Sequence, residues 1–168
     1  MRKVKHGVTN RSASPVCYAA EASDAYMGYA TSEELIEVLT KLLEAERAGA
    51  HLAIACFTQT EHSGLAKFME HMHADESRWC KMLSQEISSL GGTPSRRRGS
   101  FYKRAMAITD IAERLVFLNR GQRWVVRELA ALLPRVRDDK LHHALNAMRA
   151  GHEVNIGRVE RLGADFIP

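Results

Sequence analysis

The octapeptide HADESRWC, residues 73–80, decides the fold because it sets an acid into an apolar helical seam. Reading outward from it, Leu65, Met69, Met72, Glu76, Trp79, Leu83, Ile87 and Leu90 recur at steps of three and four. That period marks one face of an α-helix, so Glu76 points where its apolar neighbours point. Asp75 lies about 100° round the helix, toward a neighbour or solvent. The helix is expected to begin at 61–63 and to stop at GGTP, residues 91–94.

The same pattern occurs three more times. Thr31 or Ser32 can cap an upstream helix, with Glu33 and Glu34 favouring its positive end. Its seam runs Leu35, Leu39, Leu42, Glu46, Gly49, Ala53, Cys56 and ends near 58–60. Downstream, Ile111, Leu115, Leu118, Gln122, Val125, Leu129 and Leu132 form a third seam before a turn at Pro134. Leu141, Leu145, Met148, His152, Asn155, Val159 and Leu162 form the fourth, closed by Gly163. No strand-like alternation is visible, so the class is all-α. Tight turns make two antiparallel hairpins. The segment from Gly91 to Ala107 is too long for a turn and suits a crossover along a four-helix bundle, with Phe101 and Tyr102 tucked onto it.

Each seam is interrupted near its middle, by Glu46, Glu76, Gln122 and His152, with Asn155 one turn further on. Glu46 and Glu76 are thirty positions apart across one hairpin turn, and Gln122 and His152 are thirty apart across the other. Residues equidistant from a hairpin turn share a height, so the four are expected to meet in one layer. Two buried carboxylates without partners are very costly. A metal ion meets the need, with Glu46, Glu76 and His152 as ligands and Gln122 as a weak fourth ligand or supporting donor; iron, manganese and zinc suit such donors. A self-satisfied network of Glu46, Glu76, Gln122, His152 and Asn155, sharing a proton and flanked by Arg47, Arg78 and Arg123, meets it equally. An open ligand pocket is the third alternative.

The 168 residues read as one domain, 31–168, preceded by a flexible or loosely docked arm over 1–30 with a short turn near Tyr26. At 45% hydrophobic and 26% charged, the composition is that of an ordinary globular protein. Nothing approaches a membrane span or a secretory signal. The net charge of +4 gathers in MRKVKHGVTNR, residues 1–11, and SRRR, residues 95–98. No aromatic residues interleave with it, and the helices are too long for a helix-turn-helix unit, so nucleic acid is not the expected partner. Cys17, Cys56 and Cys80 form no metal or disulfide motif and suit a reducing cytoplasm, with Cys56 and Cys80 as small core residues. His51, His62, His71, His73, His142 and His143 read as surface residues. No catalytic triad or phosphate loop is visible.

The stretches LLEAERAGA, DESRWCKML, GGTPSRR, LNRGQRWVVRELAALLP and GHEVNIGRVE together resemble the ferritin-like superfamily, which includes rubrerythrin and bacterioferritin. They are most similar to a bacterial branch of unassigned function, over about residues 32–163. The resemblance implies a ferritin-like bundle of two hairpins joined by a long crossover. Di-metal members use one Glu on the first and third helices and Glu-x-x-His on the second and fourth. By that pattern Glu46 and Glu76 match ligands, Trp79 takes a histidine's place, Gln122 stands for a Glu, and the last pair becomes His152-x-x-Asn155. A one-residue shift offers Glu153 and Ile156 instead. The resemblance therefore implies the fold without a standard di-iron centre. Two classes follow: a bundle whose polar layer is a structural network or binding site, acting as a homodimer, or a metalloprotein with a mononuclear or altered site for redox or oxygen chemistry.

Overall fold

The computed structural model describes residues 26–164. Most of the expected arm, Cys17 and the last four residues lie outside that range. Five helices follow in order: α1 (Ser32–Gln59), α2 (Ser63–Ser89), α3 (Phe101–Met106), α4 (Ile111–Leu132) and α5 (Asp139–Ala164).

Local chemistry starts and stops them. Thr31 and Glu34 form a reciprocal capping box at α1. His62 Nδ1 accepts from the Leu65 amide at 3.1 Å and caps α2. Asp110 and Asp138 accept from Glu113 and Leu141 amides at 2.8 and 2.7 Å, capping α4 and α5. Gly91 adopts a φ of 85° just past α2, a left-handed turn that glycine enters at no steric cost. At the other end of the chain α5 does not stop at Gly163 but continues to Ala164.

The four long helices form a ring in which α1 packs on α2 and α4, and α5 packs on α4 and α2. The Ala30 amide donates to Arg135 O at 2.8 Å, placing the start of α1 beside the end of α4. Arg114, early in α4, donates to Gln59 Oε1 at the end of α1 at 3.2 Å. The connection between α2 and α4 therefore runs the length of the bundle. It is held along α1 by Ser95, whose hydroxyl donates to Glu44 at 2.6 Å, and by Arg97, 3.3 Å from the same carboxylate. The extended crossover anticipated from the sequence contains the short helix α3, and Phe101 and Tyr102 are both half-buried there.

Nearly every seam residue is buried, and the core falls into two apolar blocks. One holds Leu39, Leu42, Leu83, Leu129, Leu145 and Met148 with Trp79 at its inner edge. The other holds Leu52, Leu65, Met69, Met72, Leu115 and Leu118. The polar layer lies between them. Among the described residues, no helix is long and apolar enough to cross a membrane.

Candidate functional site

One residue from each long helix reaches the layer: Glu46 from α1, Glu76 from α2, Gln122 from α4 and His152 from α5, all at most 4% exposed. Glu76 fits because α1 carries Gly49 opposite it. A Cβ at that position would sit 2.8 Å from the Glu76 carboxyl carbon. The glycine thus forms a cradle for the carboxylate, one helical turn from Glu46.

Gln122 links the two hairpins. Its Nε2 donates to Glu76 Oε1 at 2.8 Å, and its Oε1 accepts from His152 Nδ1 at 2.6 Å. An imidazole that donates through Nδ1 carries a bare lone pair on Nε2 while neutral. That lone pair lies 3.3 Å from Glu46 Oε1, without the alignment of a hydrogen bond. Apart from a proton that Glu46 shares with the Glu76 carboxyl, neither His152 Nε2 nor the carboxylate oxygens of Glu46 have a hydrogen-bond partner. Buried acceptors are rarely left in this state. Ligand atoms of Glu46, Glu76 and His152 lie within 4.8 Å of one another, so the unsatisfied lone pairs converge on one region.

Burial sets the protonation chemistry. It raises the Glu46 carboxyl to about 7, a hydrogen bond with Glu76 holding the rise back and the charge of Asp75 adding to it. It raises Glu76 well above the usual carboxylate range, and the Glu46 charge pushes the same way. It lowers His152, which favours the neutral, ligand-competent imidazole. Cys80, just outside the layer, is raised to about 12 by burial and by the two carboxylates, so its thiol stays protonated.

Some residues expected near the layer stand elsewhere. Glu153 is exposed, with a carboxylate oxygen 3.7 Å from Arg149, because the phase of α5 turns His152 inward instead. Asn155 is buried one turn away, and its Nδ2 donates to Asp75 at 3.4 Å rather than joining the Glu76–Gln122–His152 chain. Arg78 and Arg123 do not reach inward; they pair with Asp75 and Glu160 at the surface. Arg47 is half-buried with its Nε unpartnered. Trp79 is buried beside Gly151, where a Cβ would meet the indole at 3.2 Å, so the indole fills the space between α2 and α5. His73 is half-buried rather than fully at the surface: its Nδ1 lies 3.1 Å from Ala50 O of α1 and ties the first hairpin together.

Sequence reading missed two features. Gly49 reads as an ordinary seam position until the carboxylate above it is seen. The second is a cleft of about 470 Å³ between α1 and α4, roofed by the crossover and α3, whose floor is Glu46, Glu76 and Gln122. The layer thus opens to the surface on one side.

A Domain of unknown function, DUF6306, matches residues 33–161 of the chain. The chain belongs to the DUF6306 family. This DUF6306 protein has no match among curated proteins. Its fold is similar to the crystal structure of a ferritin-like, diiron-carboxylate protein from Bacillus anthracis str. Ames. The two agree with a TM-score of 0.70 at 20% identity, over 78% of this chain and 96% of that one. The DUF6306 chain thus has a ferritin-like helical bundle, with a buried group of two glutamates and one histidine at its centre.

Proposed function

We propose that the polar layer is a binding centre for one divalent transition-metal ion, held by Glu46, Glu76 and His152. The observation that carries this reading is the convergence of ligand atoms of Glu46, Glu76 and His152 within 4.8 Å of one another, all buried, at the base of the cleft. Three acceptors together call for a cation, and a mixed carboxylate–imidazole set suits iron, manganese or zinc. Gln122 supports two of the ligands at once, accepting from His152 and donating to Glu76. A pair of ions does not fit these residues, because Trp79 and Gln122 stand where a second ion would need ligands. When bound, the ion supplies Lewis acidity, and iron or manganese also supplies electron transfer. The chain's own contribution is to bury the three ligands in one layer, to keep His152 neutral and to leave the cleft above Glu46 open.

Thermal melts with added metal test the proposal. Zinc or manganese should raise the melting temperature of the wild type and leave Glu76→Gln unmoved. Equal shifts in both proteins would sink the assignment.

One observation favours a second reading. With Glu46 near 7 and Glu76 above the usual range, the carboxyl pair holds a proton near neutral pH. A protonated Glu76 donating to Glu46 would satisfy that carboxylate without metal, the hydrogen bond between the two acids raising Glu76 and lowering Glu46. Under that reading Glu76→Gln is nearly neutral for stability, because an amide replaces a protonated acid.

A further inference from the structure

From the walls and rim of the cleft, we infer that it admits a small amphipathic organic anion, apolar end first, so that its body lies above Glu46 and Glu76 and its carboxylate stays at the rim. The inference rests on the reading of the layer as a binding centre.

The cleft volume of about 470 Å³ falls in the range of small-molecule sites. Its walls include Phe101, Phe117, Leu118, Trp124 and Val125. Phe101 and Phe117 stack at 4.9 Å, and Gly121 lets them lie flat: a Cβ there would sit 2.7 Å from the Phe101 ring. Such a wall favours a flat apolar body.

Charge at the rim then selects the head group. Lys41 is 2.7 Å from Glu37, and Glu44 is engaged by Ser95 and Arg97, so those charges are already matched. Arg104 and Arg120 are exposed at the rim and have no acid partner among the described residues. Arg104 lies over the Phe117 ring at 5.2 Å, which fixes its guanidinium above the apolar wall. Two unmatched guanidiniums lining the cleft, one of them over the Phe117 ring, match a carboxylate on an apolar stem. In the metal-free chain the floor opposes the reverse orientation, because two carboxyl groups there would face the incoming anion.

The test uses 3-phenylpropanoate and its uncharged analogue 3-phenylpropan-1-ol, titrated calorimetrically into the full chain, metal-free and zinc-loaded. The acid should bind about tenfold more tightly than the alcohol, and that preference should vanish in Arg104→Ala/Arg120→Ala. Both arginines are exposed, so circular dichroism and zinc content of the variant should match the wild type. Equal binding of acid and alcohol, no binding of either, or a preference that survives in the variant would overturn the inference. Zinc that fails to load while the acid preference holds would instead defeat the metal assignment and leave the cleft's ligand class standing.

Discussion

Gln122 Oε1 accepts from His152 Nδ1 at 2.6 Å, and this one hydrogen bond sets the chemistry of the layer. It leaves Nε2 as the lone pair that faces Glu46. The amide's other end is occupied by Glu76, so Gln122 cannot reverse without placing its carbonyl against a carboxylate oxygen. A reversal becomes favourable only when Glu76 is protonated and donates to it.

This relationship predicts the tautomer. In the metal-loaded protein, nitrogen-15 spectra of His152 should show a protonated Nδ1 and a metal-shifted Nε2. Gln122→Ala should weaken metal binding about 10- to 100-fold, the usual cost of removing a group that orients a ligand. Affinity within twofold of wild type would remove Gln122 from the site.

The buried acids predict an unusual dependence on pH. The folded state holds the Glu46 proton up to about 7, whereas an unfolded chain releases it near 4.5. Folded protein therefore binds more protons across that window, and its stability falls as pH rises through it, by roughly 3 kcal/mol for this group. Glu76 is raised as well and acts in the same direction. His152 acts oppositely, because its lowered value costs stability as pH falls below 6.5. With chelator present, calorimetry should give a lower melting temperature at about pH 8 than at about pH 6. With zinc the order should reverse, since coordination needs both carboxylates deprotonated. A chelated protein more stable at the higher pH would contradict the burial argument.

Gly49→Ala tests the cradle. Alanine is the better helix former by about 1 kcal/mol. Its Cβ would nevertheless meet the Glu76 carboxyl at 2.8 Å, and overpacking of that kind costs about 1–3 kcal/mol. The variant should be modestly less stable to denaturant and should lose most of its metal. Gain of stability with full metal content would show that Glu76 is free to move.

Arg114 tests the crossover. It is buried, and it donates to Ile108 O at 2.6 and 2.9 Å and to Gln59 at 3.2 Å. Arg114→Met should cost about 2–3 kcal/mol in urea unfolding, because the Ile108 carbonyl at the joint between crossover and α4 and the Gln59 side chain at the end of α1 lose a charged donor. A loss under 1 kcal/mol would mean the crossover is held by its apolar contacts alone.

How much of this was legible beforehand follows from what carries periodicity. Leu39, Met72, Leu118 and Leu145 lie in seams whose step of three and four identifies an inward face, so four helices could be placed. The equal spacing of Glu46 to Glu76 and of Gln122 to His152, added to the inward face that the period marks, then brought the layer together. Glu153 shows the limit of the same method, since one residue of helical phase separates a core position from an exposed one. The cleft was not legible, because residues 93–110 have no repeating pattern and α3 is too short to show one. Arg114 stands beside the seam residue Leu115 and nothing in the periodicity marks it as buried, because its partners Ile108 and Gln59 come near only in the folded bundle. Asn155 belongs by spacing to the layer, but its donor goes to Asp75, on a face of α2 that the seam does not describe.

The most direct measurement is the metal content of untagged protein by elemental mass spectrometry, in wild type and Glu76→Gln, as purified and after anaerobic loading. We expect close to one iron, manganese or zinc per wild-type chain and almost none in the variant. Wild type that stays metal-free after loading, or a variant that loads as well as wild type, would contradict a metal centre at Glu46, Glu76 and His152.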